Sequence, residues 1–286
     1  MTRLAIALLF LLPQGEAKPR YGAEKAERDH VYFESKLGIK MEGSDTLANF
    51  VRSMHPFLSM EKLSIRAEGG SQVVSRNRRK MEYDEARIDV RYDDADHEYD
   101  FQKGQPPEDD KDKLRQMMWF LAAGGRNYTL SPEGEYRSDD LTQDQNGEAM
   151  DLIVLGITRM PDGPVKEGDT YEKKWKGQRT EKNKPGRYEF VQKVTVEKIE
   201  EKDGRKIATL TGDLSGKVDG PKDPAAEEGW TKCSGKTKVV IDVASGRVLS
   251  SEGKGAVTVY FRNTADTGAK QELKLIFNVE GKVAVK

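Results

Sequence analysis

Three histidines and one cysteine are the side chains in this sequence best suited to metal binding or nucleophilic catalysis. His30, His55 and His97 are far apart, and none of them has the spacing to Cys or carboxylates that holds zinc. A catalytic serine on a strained turn would need a Gly-x-Ser-x-Gly motif, which does not occur. Neither Gly-x-Gly-x-x-Gly nor a P-loop lysine is present. The sequence therefore predicts no catalytic residues and no cofactor.

Two acidic stretches have the composition of calcium loops. Residues 93–98 lack the glycine at the sixth position and the closing glutamate of an EF-hand. In residues 140–147 the glycine comes one position late, and again no glutamate closes the loop. Solvated loops at strand ends explain both stretches more simply, so we expect no metal site.

One dense basic run, residues 75–80, could meet phosphate or an anionic polysaccharide. The alternative, which we favour, is a solvated strand face balanced by the nearby Glu82, Asp84 and Glu85. The whole chain has 48 basic and 49 acidic residues, so no overall field attracts nucleic acid. We expect no nucleic-acid partner.

Apolar side chains recur at helical spacing near residues 110–123, after an acidic helix start and before Gly124-Gly125. One face of this helix could line a pocket for an apolar small molecule or lipid. The residues of that possible lining are Met117, Met118, Phe120 and Leu121. The alternative, which we favour, is that they form the contact between the helix and a sheet.

The first residues have the order of a secretory signal. Arg3 precedes an unbroken apolar run at residues 4–12, and Gly15 and Ala17 supply small residues at the −3 and −1 positions of a cut. Nine apolar residues are too few to span a bilayer, which needs about 20. We expect a signal peptide at residues 1–17, cleaved after Ala17, and an exported bacterial protein, periplasmic or secreted, that does not span the membrane. For its lone cysteine, Cys233, we favour a small semi-buried residue over a nucleophile.

Period-two alternation dominates the rest, most clearly in residues 87–93. Turns are expected at Gly69-Gly70, Asp203-Gly204, Ser245-Gly246 and Glu280-Gly281. The pattern predicts a mainly β protein with a helical waist (α+β), in which two curved antiparallel halves form a half-barrel or clam-like shape. The expected parts are an N-terminal β-rich half (18–138, with the helix near 110–123), a helical connector (139–163) and a C-terminal antiparallel half (164–286).

Residues 160–171 carry a recognisable motif. The segment resembles the "PD-x-PV-x-x-GD-x-aromatic" motif of an uncharacterised family of secreted bacterial β-rich proteins, described as a domain of unknown function. Residues 128–135 and 242–248 are also similar, so the resemblance covers position 128 to the C-terminus, and Tyr171 stands where the family more often has Trp. The family has no established catalytic residues. The resemblance implies no activity, and the turn residues of the motif indicate a structural joint.

These observations favour a non-enzymatic binding or scaffold module. The alternative is a carrier that encloses a lipid or other apolar ligand between curved sheets, and a remote third hypothesis is an enzyme with an unrecognised site. A deep cavity lined by Met117, Phe120 and inward-facing strand residues would favour the carrier, whereas a filled core would favour the scaffold.

Overall fold

The structure is a computed structural model. It describes residues 16–22, 28–54, 56–75, 77–106, 112–123, 126–138, 145–178, 187–219, 228–264 and 270–286. Within these residues the N-terminal strands are β1 (Asp29–Gly43), β2 (Met60–Ser75), β3 (Arg78–Tyr92), β4 (Ala95–Gln102), β5 (Arg126–Leu130) and β6 (Tyr136–Ser138). The C-terminal strands are β7 (Thr170–Gln178), β8 (Arg187–Lys202), β9 (Arg205–Asp219), β10 (Glu228–Asp242), β11 (Val248–Thr264) and β12 (Lys270–Val285). The helices are α1 (Asp45–Met54), a 3-10 turn (Pro56–Ser59), α2 (Lys113–Ala123) and α3 (Gln145–Val154).

All twelve strands belong to one antiparallel sheet, in the order β6-β5-β3-β2-β1-β12-β11-β10-β9-β8-β7, with β4 beside β3. Strand β1 joins the two halves, because Phe33 lies opposite Ala67 of β2 and Val283 of β12. The sheet is open, since β6 and β7 end the order without pairing in the described part of the chain. The predicted mainly β, antiparallel fold is confirmed.

One face of the sheet forms the core. In β8 the side chains of Phe190, Gln192, Val194 and Val196 are buried, while Lys193 between them is exposed. The alternation that predicts the strands also explains this arrangement, because successive side chains point to opposite faces.

Helix α3 lies on the buried face, across β9 to β12. Ile153 is fully buried, and the sheet has glycines beneath the end of the helix. A Cβ atom at Gly253 or Gly281 would overlap the backbone carbonyl of Ile153 or Val154. These glycines are required because the backbone of α3 touches the sheet directly.

Helix α2 packs elsewhere, on β3 and β4. It begins and ends close to the predicted limits, but it lies on a different part of the sheet from α3. A helical waist is therefore not confirmed. Among the described residues, none of the helices has the length and apolar character needed to cross a membrane.

Two predicted turns are wrong. Gly69-Gly70 lies inside β2 beside a register shift, and Glu280-Gly281 lies inside β12. At Gly69 a Cβ would meet the carbonyl oxygen of Glu82, so close backbone approach explains this glycine as well. Asp203-Gly204 does form the β8–β9 hairpin, with positive φ at both residues, as predicted.

After α3 the chain continues through the core as residues 155–165, here called the interior segment. It meets both ends of the open sheet at Arg159. The guanidinium of Arg159 lies 4.4 Å from the ring centroid of Trp175 in β7, and its Nη1 lies 3.6 Å from Glu135 Oε1 in the β5–β6 turn. Tyr171 of β7 donates a hydrogen bond of 2.8 Å to the Arg159 carbonyl.

Candidate functional site: an interior cavity

A cavity of about 800 Å³ lies on the buried face of the sheet, between strands of both halves. Helix α3 ends above Gly253 and Gly281, and the cavity begins at the next inward-facing residues of the same strands, Ser251 and Val283. The space exists because the helix stops there and only the narrower interior segment continues. Besides Ala244 and the rings of Tyr21 and Tyr128, the apolar side chains of the wall are Val31, Val73, Met81, Leu130, Leu155, Ile157, Val239, Val248, Val283 and Val285.

One charged side chain in this wall is buried. Arg79 of β3 is only 9% exposed, and its Nη2 donates a hydrogen bond of 2.6 Å to the carbonyl of Gly22. The guanidinium carbon lies 5.8 Å from the ring centroid of Tyr21. Its Nε is buried without a hydrogen-bond partner, and among the described residues no carboxylate contacts it. The wall therefore contains a guanidinium whose charge is not balanced by any acid among the described residues.

Two further charged residues line the cavity and neutralise each other. Arg247 Nη2 lies 2.7 Å from Asp29 Oδ1, and both side chains are partly exposed. This pair lies at the rim, in contact with water, and adds no net charge to the wall.

Residues 16–22, here called the N-terminal strap, cross one side of the cavity. Ala17 forms two backbone hydrogen bonds of 2.8 Å with Val165, and Gly22 donates one of 2.9 Å to the carbonyl of Gly246. Between them, the backbone N–H of Tyr21 donates to Pro132, at 3.0 Å. The strap thus fastens the two halves of the sheet to each other. The predicted signal peptide falls mostly at residues 1–15, which lie outside the described residues.

A buried polar network holds the interior segment in place. The Tyr21 hydroxyl donates to the Thr158 carbonyl at 3.0 Å and accepts from the Thr158 N–H at 3.1 Å. Gln192 donates to the Ile157 carbonyl at 3.1 Å and accepts from the Arg159 N–H at 2.8 Å. Burial raises the pKa of Tyr21 to about 12, because the phenolate would lose its hydration. With these backbone groups satisfied, the segment forms a fixed wall.

A second buried cluster joins α3 to the other end of the sheet. Asp151 of α3 forms an ion pair with Arg126 of β5 and accepts a hydrogen bond from the Tyr136 hydroxyl of β6. Burial disfavours the charged guanidinium of Arg126, but the attraction of Asp151 raises its pKa. Burial and the same carboxylate both raise the pKa of Tyr136. This arrangement keeps Asp151 paired with Arg126, which suits an anchor.

The motif of residues 160–171 forms the joint between the interior segment and β7. Gly168 has a positive φ of 86°, and Asp169 Oδ2 accepts a hydrogen bond of 2.8 Å from the Lys166 N–H. Val165 forms the bridge to the N-terminal strap. Val165, Gly168 and Asp169 therefore make backbone and turn contacts.

Two of the four residues predicted from sequence as an apolar lining, Met117 and Met118, do not line this cavity. Met118 is fully buried in the contact of α2 with β3 and β4, and Met117 is half-buried. The side chains of Phe120 and Leu121 lie outside the described residues, so their predicted role stays a prediction.

Interpreting the basic run of residues 75–80 as a solvated strand face misses Arg79. That interpretation holds for Arg78, which is exposed, but is wrong for Arg79. Arg79 shares the inward phase of Met81 and Tyr83. This alternation along the strand was the sequence signal from which the burial of Arg79 could have been predicted.

A depression of about 550 Å³ on the exposed face of the sheet is a weaker candidate. Its walls carry charges that alternate across the strands, such as Lys36, Glu280 and Lys254. Exposed pairs of this kind are characteristic of a solvated face. In the described part of the chain, no three His, Cys, Asp or Glu side chains are grouped so that they could hold a metal ion.

No protein-family model matches the chain, and the search of curated proteins found no match. The resemblance to the uncharacterised secreted family therefore stays a prediction. The function has to be argued from the cavity and its surroundings.

Proposed function

We propose that this protein is a non-enzymatic carrier that binds an apolar ligand, such as a single lipid chain, in the interior cavity. The observation that supports this function is the unfilled volume itself. At about 800 Å³ the cavity is within the range of roughly 300–1,000 Å³ typical of ligand pockets, and slightly more than half of its wall is apolar.

We also propose that the sheet curls into a half-barrel, a shape that would suit a carrier. Arg159 contacts both Trp175 of β7 and Glu135 beside β6, although these strands lie at opposite ends of the sheet order. Both ends reach one residue if the sheet curls around α3 and the interior segment. Such a sheet would enclose a ligand even though its two end strands, β6 and β7, form no hydrogen bonds with each other in the described part of the chain.

Export is also part of the proposal, and it rests on the signal-like order of residues 1–17. Cleavage after Ala17 would remove one end of the N-terminal strap, with its bridge to Val165. The contacts of Tyr21 with Pro132 and Thr158, and that of Gly22 with Gly246, would remain. A mature chain beginning at Lys18 would therefore still cover the cavity.

The test compares two valines of equal burial. Val239 of β10 lines the cavity, whereas Val257 of β11 is packed without facing it; neither is exposed to solvent. We expect Val257→Phe to cost about 1–3 kcal/mol, the usual penalty for overpacking a filled core. Val239→Phe should cost less than about 1 kcal/mol, because the larger ring enters empty space.

Binding of the neutral fluorescent probe N-phenyl-1-naphthylamine gives the functional readout. We expect saturable binding to wild type, similar binding to Val257→Phe, and affinity lowered by roughly tenfold or more in Val239→Phe, because the ring occupies the probe's volume. Native mass spectrometry of protein purified from its own host would identify a retained ligand. Absence of saturable binding by wild type, together with equal destabilisation by both substitutions, would favour the scaffold hypothesis.

A further inference from the structure

The buried guanidinium of Arg79 indicates the chemistry of the ligand. An arginine stays protonated at any physiological pH, so burial cannot remove its charge. Such a charge is costly in the interior unless an anion pairs with it. Arg79 has one carbonyl, from Gly22, and the ring of Tyr21 as neighbours, but its Nε has no hydrogen-bond partner. Among the described residues no acid supplies the counter-charge.

We propose that the ligand is a single-chain amphiphile whose carboxylate pairs with Arg79 while its chain lies along the apolar wall. This inference rests on the proposed carrier function and adds the identity of the head group. Hydrogen bonds between guanidinium and carboxylate are among the strongest in proteins because both groups are charged. The pair would balance the buried charge and satisfy a nitrogen that now has no partner.

The charge balance of the wall favours a carboxylate over a phosphate. Arg247 is paired with Asp29, so Arg79 supplies a single net positive charge. A carboxylate is a monoanion, whereas a phosphate monoester carries about −1.5 to −2 charges near neutral pH. A second charge would stay unbalanced inside the protein.

The volume favours one chain over two. If each chain carbon occupies roughly the 30 Å³ that a water molecule takes in the liquid, a chain of about 16 carbons needs roughly 500 Å³. The cavity of about 800 Å³ exceeds the volume of one such chain, whereas two such chains would need roughly 1,000 Å³.

The experiment measures dissociation constants for three ligands with the same chain: dodecanoate, dodecanol and dodecyl phosphate. Each is titrated at pH 8 into wild type, Arg79→Gln and Arg79→Lys by displacement of N-phenyl-1-naphthylamine. Arg78→Gln is the matched control, because it removes the same charge from the neighbouring, exposed position. Circular dichroism and melting temperature show whether each variant is folded.

We expect wild type to bind dodecanoate at least about tenfold more tightly than dodecanol or dodecyl phosphate. Arg79→Gln should abolish the preference for dodecanoate over dodecanol, while its dissociation constant for dodecanol stays within about twofold of that of wild type. Arg79→Lys, which keeps the positive charge, should retain part of the preference for dodecanoate. Arg78→Gln should bind like wild type. If Arg79→Gln does not fold, the wild-type preference and its change in Arg79→Lys decide the question.

The outcomes that overturn the inference differ from those that overturn the carrier function. Equal affinity of wild type for dodecanoate and dodecanol would refute recognition of an anion while leaving the carrier intact. Tighter binding of dodecyl phosphate would refute the carboxylate. A preference for dodecanoate that survives in Arg79→Gln would show that another group binds the head. Failure of all three ligands and of the probe to bind would refute the carrier function itself.

Discussion

Replacing Asp151 by asparagine would remove the negative charge from the cluster that joins α3 to β5 and β6. The carboxylate is paired with Arg126 and accepts a hydrogen bond from Tyr136, and Asp151 is only 6% exposed. Asparagine keeps the shape and one acceptor oxygen, so the change tests the charge rather than the packing. It leaves the guanidinium of Arg126 without its carboxylate.

The expected cost follows from the burial of the two partners. Breaking a buried ion pair on one side costs about 3–5 kcal/mol, because the remaining charge is left unpaired. The side chain of Arg126 is 30% exposed, so water partly solvates it. We therefore expect Asp151→Asn to lower the free energy of unfolding by about 3 kcal/mol, at the low end of that range. The melting temperature should fall by about 6 °C or more.

A matched exposed pair provides the control. Arg28 and Asp84 are 2.9 Å apart, with side chains 40% and 48% exposed. Exposed pairs contribute roughly 0–1 kcal/mol, so Asp84→Asn should cost less than about 1 kcal/mol. Both variants are measured by equilibrium unfolding in urea, followed by circular dichroism and tryptophan fluorescence.

A double-mutant cycle separates pairing from other effects of the substitution. Arg126→Met removes the cation, so Asp151→Asn in that background should cost about 2 kcal/mol less than in wild type. If Asp151→Asn costs no more than Asp84→Asn, or if the cycle shows no coupling, then the cluster does not anchor α3 as described here.

Three further predictions concern other buried groups. Gly253→Ala should lower the free energy of unfolding by about 1–3 kcal/mol, because the added Cβ would overlap the Ile153 carbonyl. The control Gly163→Ala should be nearly neutral, because its Cβ would contact no other atom. Equal urea midpoints for the two variants would contradict this prediction. The pKa of Tyr21 is about 12 in the folded protein and about 10 in the unfolded chain, so the neutral phenol stabilises the fold by about 3 kcal/mol. This contribution is complete below pH 10 and is lost as the pH rises to 12. Melting temperatures between pH 9 and 12 should therefore fall less steeply in Tyr21→Phe than in wild type, and parallel curves would refute the assignment. Burial raises the pKa of the Cys233 thiol to about 12, so native protein should react with Ellman's reagent at least about a hundredfold more slowly than unfolded protein, and similar rates would contradict its burial.

The strands could be predicted from sequence because each has one buried and one solvated face. In β3 the alternation of residues 87–93 matches buried Ile88 and Val90 between exposed or half-buried polar neighbours. The Asp203-Gly204 hairpin could be predicted because a two-residue turn needs positive φ at both positions, which these residue types tolerate.

The glycines of Gly69-Gly70 and Glu280-Gly281 misled the prediction for a physical reason. A glycine in a sequence indicates that a side chain is not tolerated, but not whether a turn or a neighbouring backbone excludes it. At Gly281 the excluding group is the carbonyl of Val154, which is 127 positions away in the chain. Only the packing of α3 on the sheet reveals that contact.

The cavity was inaccessible to sequence reasoning for a similar reason. Val239 lines it and Val257 does not, yet both are buried valines with the same alternation in neighbouring strands. The two valines differ in their position relative to the end of α3. No local sequence pattern shows that the space beyond the end of that helix is left empty. The position of Arg79 in the strand alternation was the one indication of the cavity, because it places a charged side chain on the buried face of the sheet.

The buried polar clusters have a common consequence for ligand binding. Asp151 fixes α3, Gln192 and Tyr21 fix the interior segment, and the strap is bonded at Tyr21 and Gly22. The wall formed by Leu155 and Ile157 is therefore held by bonds that do not depend on a ligand. A preformed cavity gains affinity because little ordering is needed on binding. Loosening the anchor at Asp151 should weaken ligand binding even though this residue does not line the cavity, whereas Asp84→Asn should leave binding unchanged.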